Sequence, residues 1–292
     1  MDEAKTSNGS HDWACDAAGR LVAGHVVDEG VCLLLGAADT GKTSLVLALA
    51  NALSAEKPVG IVDADIGQSH IGPPTTVGCA IASAPVDDLS GLSPLAIAFA
   101  GDVTPVGHLL QFTAALQQCL VCLEPTVDTI LIDTPGLVSG GAASALWWTV
   151  HRMVRPDVIL AVQRENELDC ILTGLCTFDT RIERIQTPPD IPVKSPERRR
   201  KYRTDLFRKY FQNATRHTID LSEVALQTGR SIYHRACANC LVALKDRKGC
   251  DIALGLIEKE PEGEKVVIKT PLPDLKNVCG LAIGDVTLDL SV

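Results

Sequence analysis

The chain has 292 residues, 46% of them hydrophobic and 22% charged, which is enough for one large α/β core and a small second domain. A net charge of −9 excludes a general electrostatic attraction to nucleic acid, so any polyanion site must be local. No apolar run reaches the roughly 18–20 residues of a transmembrane helix, and the N-terminus is polar, unlike an export signal. We therefore expect a cytoplasmic protein with no membrane partner.

The eleven cysteines are expected to be reduced and mostly buried, because the chain has no sign of secretion. Two CxxC pairs, Cys119/Cys122 and Cys237/Cys240, have a spacing that also occurs in four-thiolate zinc sites. The first pair lies in a segment with helical periodicity and lacks the turn that metal-binding pairs usually occupy. A zinc site is therefore the weaker interpretation.

Residues 1–20 predict a loose tail, and residues 21–30 predict a short lead-in to the first strand. A glycine loop between that strand and a helix follows. Residues 31–35 predict a strand, and an alanine- and leucine-rich segment to about residue 53 predicts a helix. The spacing GxxxxGK[ST] suits a triphosphate, because its glycines let backbone N–H groups converge on a phosphate at the helix start. Lys42 is placed to reach the β- and γ-phosphates and Thr43 to ligate Mg²⁺. The predicted cofactor-binding residues are Gly36, Ala37, Ala38, Asp39, Thr40, Gly41, Lys42, Thr43 and Ser44.

Two carboxylates follow the next predicted strand, residues 59–63. Ligands bind at the carboxyl ends of strands in parallel sheets, so Asp65 is expected near the phosphates, where it can accept a proton or hold Mg²⁺ through water. Asp63 is a second candidate metal ligand, with an ordinary turn as the alternative. After a proline pair, residues 76–84 predict a short strand.

The strand predicted at 95–100 leads through a second ligand-facing loop into a helix at 109–123. Thr104 and the backbone around Gly107 are candidate ligand contacts, whereas His108 has no assignable partner. A strand at 129–132 then ends in Asp133-Thr-Pro-Gly136, in which the Asp is a candidate for holding a metal-bound water and the Gly amide for lying near the γ-phosphate. A helix at 142–154, with tryptophans 147 and 148 as packing residues, and a strand at 157–162 follow. The alternation predicts a doubly wound, mostly parallel sheet.

One block of the chain is strongly basic. Between Lys194 and Lys209 eight positions are Lys or Arg, namely 194, 198, 199, 200, 201, 203, 208 and 209. Such a block is usually a solvated helix face, but an arginine-rich helix is also what phosphoryl-transfer enzymes close over their phosphates.

The motifs GAADTGKTSL, VDADIGQS, FAGDVTPVGHLLQ and IDTPGLVSG, followed by a basic segment ending in Lys-Tyr-Phe, resemble the polynucleotide 5′-hydroxyl kinase family. This family includes the eukaryotic RNA kinases of mRNA 3′-end, tRNA and pre-rRNA processing. The resemblance spans about residues 31–292, and its most specific parts are DxDxGQS and the basic segment before Tyr-Phe. The tail at 241–290 resembles the family's small C-terminal β domain, in agreement with its alternating apolar residues and turn glycines.

The resemblance implies a role for individual residues. In these kinases the P-loop Lys and Thr, here Lys42 and Thr43, serve ATP and Mg²⁺, and the second Asp of DxDxGQ, here Asp65, is the general base. Gln68 would help to order the metal shell. The Thr-Pro clasp corresponds to Thr104 and Pro105, and counting back from Tyr210-Phe211 places the lid residues at Lys194 and Arg199. Arg198 and Arg203 are the neighbours that could compensate for a lysine at 194, and Arg203 is also a candidate substrate contact. The family has Arg where this chain has Lys194, which keeps the charge but loses bidentate phosphate recognition.

The implied architecture is a P-loop NTPase domain at 21–215, including a basic lid at 192–211, and a small β-rich domain at 216–292. The large N-terminal domain of the eukaryotic members has no counterpart before the P-loop. The implied activity is transfer of the ATP γ-phosphate to the 5′-hydroxyl of RNA or DNA, and no motif selects between the two acceptors or names a protein partner.

Two other function classes share the P-loop. A GTPase would usually read guanine with an Asn/Thr-Lys-x-Asp loop, and this chain has none. An NTP-binding scaffold without transfer activity stays open, because of Lys194 and the acidic net charge. ATP binding without a phosphorylated product would distinguish it.

Overall fold

Two β-sheets and six helices organise the part of the chain that the computed structural model describes, residues 3–176, 178–227, 238–258 and 264–289. The helices are α1 Glu3–Ala23, α2 Lys42–Ser54, α3 Leu109–Leu123, α4 Gly140–Val154, α5 Asp169–Leu175 and α6 Pro196–Phe211. The strands are β1 Gly30–Leu35, β2 Val59–Asp63, β3 Thr76–Ala82, β4 Ala96–Phe99, β5 Thr129–Asp133, β6 Val158–Gln163, β7 Arg181–Gln186, β8 Thr215–Asp220, β9 Ala225–Gln227, β10 Cys240–Lys245, β11 Asp251–Ile257, β12 Lys265–Thr270 and β13 Gly280–Thr287.

The first sheet has the order β4-β3-β2-β5-β1-β6-β7, and only β3 runs against its neighbours. Helices cover both faces: α3, α4 and α5 pack on one side, and α1 and α2 on the other. The central strands are buried on both faces, which explains their nearly continuous Val, Leu and Ile runs. The predicted doubly wound, mostly parallel sheet is confirmed.

The N-terminal segment differs from the prediction of a loose tail and lead-in. Residues 3–23 form α1, which packs along α2 through Ala17, Ala18 and Leu21. The buried face of α1 consists mainly of alanines, and its exposed face is polar. Such a helix has little hydrophobic periodicity for a sequence pattern to reveal, although it covers a core face once α2 is in place.

The second sheet has the order β8-β12-β11-β10-β13-β9 and is mostly antiparallel, with β9 and β13 as its parallel pair. One of its faces has its own core, and the other covers Phe99 of β4 and two phenylalanines of α6, Phe207 and Phe211. The C-terminal sheet thus packs against the edge strand of the first sheet and against the basic helix. Its existence confirms the predicted β-rich unit, whereas the boundary at 215/216 stays a prediction.

Within the described residues, no helix combines the length and apolar character needed to cross a bilayer. Cys119 is buried in α3, and Cys122 is half-buried one turn later. Cys237 of the second CxxC pair lies outside the described residues. Among the residues described, no cluster of three or more His, Cys, Asp or Glu side chains has the arrangement of a metal site.

Candidate active site

The loop from Gly36 to Thr43 connects β1 to α2 and wraps the helix N-terminus. Gly41 precedes α2 with φ 92°, a left-handed conformation that a side chain at this position would strain. The ring of Trp13 from α1 lies against it, since a Cβ added to Gly41 would be 2.8 Å from the indole. This turn directs the first backbone N–H groups of α2, and the positive end of the helix dipole, toward the loop interior, as an anion site requires.

Lys42 is buried inside this loop. Its ammonium donates hydrogen bonds to the carbonyl oxygens of Gly36 at 2.9 Å and Ala37 at 2.8 Å, so the loop itself fixes the position of the charge. Burial lowers the pKa of Lys42, and the nearby carboxylates, that of Asp133 first, act in the opposite direction. The arrangement places a fixed cation where phosphate oxygens would lie.

Thr43 and Asp133 form the pair expected of a magnesium site. Thr43 Oγ1 donates to Asp133 Oδ2 at 2.5 Å, joining the start of α2 to the end of β5. Asp133 Oδ1 is buried and has no hydrogen-bond partner among the described residues, so it is free to accept from a metal-bound water. Burial also raises the pKa of Asp133. Hydroxyl and carboxylate oxygens are the ligands that Mg²⁺ prefers, and these residues therefore fit the ion.

Asp63 has a different role from the metal ligand predicted. Its Oδ2 accepts hydrogen bonds from the backbone N–H groups of His70 at 2.5 Å and Ile71 at 2.9 Å. Its Oδ1 accepts a hydrogen bond from the backbone N–H of Asp65 at 3.1 Å. The side chain is fully buried and does not line the cavity. Burial raises the pKa of Asp63 to about 7, with the two Oδ2 donors acting in the opposite direction. Asp63 shapes the loop that presents Asp65, so the metal role does not fit this geometry.

Asp65 reaches the cavity from the same loop. Its Oδ1 accepts hydrogen bonds from the backbone N–H groups of Gly67 at 3.2 Å and Gln68 at 3.1 Å. These bonds fix the carboxylate at the end of β2, beside β5 and its Asp133. Gln68 also lines the cavity, but its amide donates to the carbonyl of Gly67. Asp65 is therefore the oriented carboxylate of the site.

Gly136 lies directly against the phosphate loop. A Cβ at this position would be 2.5 Å from the backbone nitrogen of Ala38, so a larger residue would displace the loop. The neighbouring Thr134 donates from Oγ1 to the carbonyl of Leu34 at 2.5 Å and ties the end of β5 to β1. The Asp133–Gly136 segment is thus packed against the phosphate loop.

The basic helix α6 covers the opposite side of the cavity. Ser195 caps its N-terminus, because the serine side chain accepts a hydrogen bond from the backbone N–H of Arg198. The helix places Arg199 Nη2 2.5 Å from Asp39 Oδ2. The same carboxylate oxygen accepts the backbone N–H of Lys194 at 2.9 Å. Tyr202 donates from its hydroxyl to the carbonyl of Ser69 at 3.1 Å. The helix therefore rests on both the phosphate loop and the Asp65 loop.

The described residues enclose a cavity of about 630 Å³ between these elements. Most predicted site residues line it: Ala38, Asp39, Thr40, Gly41, Lys42, Thr43, Ser44, Asp65, Gln68, Thr104, Pro105, Gly136, Lys194, Arg199 and Arg203. Gly36, Ala37, Asp63 and Asp133 lie behind this surface, the first two as acceptors for Lys42. Burial lowers the pKa of Arg203, and the neighbouring arginines act in the same direction.

The sequence did not single out two residues that organise the cavity. Arg164, just past β6, donates from Nη2 to the carbonyl of Asp39 at 2.5 Å and to that of Ile191 at 3.3 Å. Its place at the carboxyl end of a strand was a usable signal. Tyr202 was hidden in the basic block, since no pattern marks one side chain of a helix as a contact to a distant loop.

A parallel sheet with a glycine loop, an embedded lysine and a threonine–aspartate pair at one edge defines a P-loop nucleotide-binding protein. Residues 36–213 match the family model described as the P-loop of the mRNA cleavage and polyadenylation factor CLP1. The chain therefore belongs to the CLP1 P-loop family.

Curated relatives agree with this membership, and a solved structure shares the fold. A polyribonucleotide 5′-hydroxyl-kinase of Pyrococcus furiosus is 34% identical over 202 residues, which are 69% of this chain and 56% of the relative. One of Thermococcus kodakarensis is 28% identical over 266 residues, 86% of this chain and 74% of the relative. A complex of Clp1p with Pcf11p has the same fold, with a TM-score of 0.67 at 12% identity, covering 94% of this chain and 77% of that one. The chain spans just over half the length of the Pyrococcus furiosus relative.

Proposed function

We propose that this chain is an ATP-dependent polynucleotide 5′-hydroxyl kinase that acts on RNA or DNA. The observation that carries the proposal is the single cavity that joins Lys42, the carboxylate of Asp65 and the arginines of α6. A nucleotide-binding protein needs the first of these groups. An oriented base facing the phosphates, beneath a basic cover, is what transfer to a hydroxyl requires in addition.

In the proposed reaction Asp65 accepts the proton of the 5′-hydroxyl as that oxygen bonds to the γ-phosphorus. The bond from phosphorus to the β–γ bridging oxygen breaks, and ADP leaves with the electron pair. Lys42 and Arg199 stabilise the negative charge on the transferring phosphoryl oxygens. Thr104 and Pro105 line the cavity on the clasp side, where they limit the positions open to the acceptor.

Thr43 and Asp133 are the residues that we propose to hold Mg²⁺, with Asp65 beside them and Asp63 acting through the loop. When bound, the ion would neutralise charge on the phosphate oxygens. The pairing of Thr43 with one Asp133 oxygen supports this assignment, and so does the other oxygen, which has no hydrogen-bond partner within the described part of the chain.

The curated relatives support the acceptor class and the transfer of a phosphoryl group, because they are named polyribonucleotide 5′-hydroxyl-kinases. The chain matches the family's P-loop model and covers 56% of the Pyrococcus furiosus relative. We therefore propose, on the basis of this partial match, that the chain has the relative's kinase activity. The alternative, an NTP-binding scaffold, is favoured by the lysine at position 194 and by the acidic net charge of −9.

The test incubates the purified chain with γ-labelled ATP, Mg²⁺ and an oligonucleotide, as RNA and separately as DNA. The matched control is the same oligonucleotide carrying a 5′-phosphate, which cannot accept. We expect label on the 5′-hydroxyl oligonucleotide alone and dependence on Mg²⁺. ATP binding with no label on either acceptor would overturn the proposal in favour of the scaffold.

A further inference from the structure

The clasp is the whole loop of residues 101–108, which carries Thr104 and Pro105, and the C-terminal sheet fixes both of its ends. Just before it, the backbone N–H of Phe99 on the edge strand β4 donates to Asp251 Oδ2 at 2.7 Å. At its first residue, the carbonyl of Gly101 accepts the backbone N–H of Asp285 on β13 at 2.9 Å. The entry of the chain into the clasp therefore depends on two residues of the other sheet.

The exit from the clasp is held by a side-chain contact to the same strand. His108 Nε2 lies 3.2 Å from Asp285 Oδ2 and 3.9 Å from Asp102 Oδ2, and the imidazole is 12% exposed. The backbone N–H of His108 donates to the carbonyl of Pro105 at 2.9 Å, which closes the turn that carries Thr104 and Pro105. Asp285 thus contacts the first residue of the clasp through its backbone and the last through its carboxylate.

The same face of the C-terminal sheet also supports the basic helix. Phe207 and Phe211 pack in one cluster with Phe99 and residues of β10, β11 and β13. The hydroxyl of Tyr210 accepts the backbone N–H of Leu254 at 2.9 Å. The C-terminal sheet therefore supports both the clasp and α6, although the two approach the cavity from different sides.

We propose that the C-terminal sheet positions the clasp for phosphoryl transfer, with Asp285 and His108 as the positioning pair; this rests on the proposed kinase function. Neither residue lines the cavity, so both act through Thr104 and Pro105. A clasp displaced by about 1 Å would leave ATP binding intact and misalign the acceptor, which can cost up to about 10²-fold in rate. The sheet thereby contributes to the reaction without contacting a substrate.

The experiment measures kcat, and KM for ATP and for a 5′-hydroxyl oligonucleotide, in Asp285→Ala, His108→Ala and the double variant. Asp285→Asn is the conservative rescue, because an amide oxygen still accepts from the imidazole. Asp274→Ala is the matched control, since it removes a carboxylate of the loop between β12 and β13 whose side chain pairs with exposed Lys276. Hydrogen exchange of the 101–108 amides reports clasp order independently of activity.

We expect Asp285→Ala to lower kcat by about 10- to 100-fold with KM for ATP unchanged, and to speed exchange in 101–108 but not in 36–44. The double variant should lose no more than either single one, and Asp285→Asn should recover most of the loss. An active wild type whose Asp285→Ala variant keeps its kcat, or loses activity only with its folded fraction, would overturn this role alone. A wild type that transfers no phosphate would overturn the proposed function and this role together.

Discussion

The two halves of the cavity are held in different ways. In the phosphate-binding half, residues 36–44 and 63–71, Lys42 and Asp65 are held by bonds to groups a few positions away, such as the carbonyl of Gly36 for Lys42. In the covering half, the clasp and α6, they join distant segments, such as Arg199 to Asp39, 160 positions away. The first half is preorganised by its own loops. The covering half depends on contacts between distant parts of the fold. Mutations should therefore be able to change ATP binding and phosphoryl transfer separately.

The largest effect should come from Asp65→Asn, which keeps the shape of the phosphate-binding half and removes its base. Transfer should fall by about 10²- to 10⁴-fold with ATP affinity nearly unchanged. Lys42→Ala, the comparison variant, should damage both quantities, because this lysine is part of the loop that binds phosphate. Single-turnover transfer and ATP titration separate the two effects. Near-normal turnover in Asp65→Asn would remove this residue from the role of base.

The next effect concerns the anchor of the covering half, the ion pair of buried Asp251 with half-buried Lys245 at 2.6 Å. Asp251→Ala should destabilise the fold by about 1–3 kcal/mol, because it leaves the buried N–H of Phe99 without its acceptor and Lys245 with only the carbonyl of Gly249 at 3.4 Å. Glu258→Ala is the matched control, since its partner Arg216 is 75% exposed, and it should change stability little. Urea unfolding measures both. Equal midpoints for the two variants would contradict the importance of this anchor.

The arginines of α6 should divide by function. Arg199→Ala should lower kcat by about 10²-fold with little change in oligonucleotide affinity, as expected for a contact that strengthens as charge moves onto the phosphoryl group. Arg203→Ala should instead weaken oligonucleotide binding and reduce its salt dependence by roughly one unit of slope. Binding titrations across salt concentrations and turnover assays give the two readouts. If the two variants changed kcat and oligonucleotide binding in the same way, the predicted division of roles between Arg199 and Arg203 would be wrong.

The smallest effect should be that of Lys194→Arg. The backbone N–H of residue 194 keeps its bond to Asp39 in any variant, so only the side-chain contact changes. A guanidinium can add about one hydrogen bond to phosphate, worth about 0.5–1.5 kcal/mol, so kcat should rise about two- to tenfold. If kcat and affinity are unmoved by both Lys194→Arg and Lys194→Ala, position 194 is not a lid contact.

The difference between the halves also explains what sequence reasoning achieved. Apolar runs and a glycine loop are local patterns, and they predicted β1, β2, β5 and the phosphate loop. The pattern at 109–123 matched α3 at both ends. The direction of β3 could not be predicted, because antiparallel and parallel strands with two buried faces have the same apolar pattern.

The missed elements have weak hydrophobic signals for physical reasons. The helix α1 buries mainly alanines, and the edge strand β7 is largely exposed, so its sequence RIERIQ shows no alternation. Residue chemistry identified Asp63 as a possible metal ligand, but backbone donors of its own loop occupy its oxygens. The partner of His108 lies on β13, a contact that no local pattern encodes.

The contact between Trp13 and Gly41 gives the phosphate loop an intrinsic optical reporter. Trp147 is buried with its indole N–H bonded to the carbonyl of Leu137, and Trp148 makes a tilted ring contact with Phe178. Of the three indoles in the chain, Trp13 alone adjoins the loop through the Gly41 turn. Indole emission follows the polarity and charge around the ring. Nucleotide binding can therefore be followed by the fluorescence of the unlabelled chain, with Trp13→Phe as the silent reference.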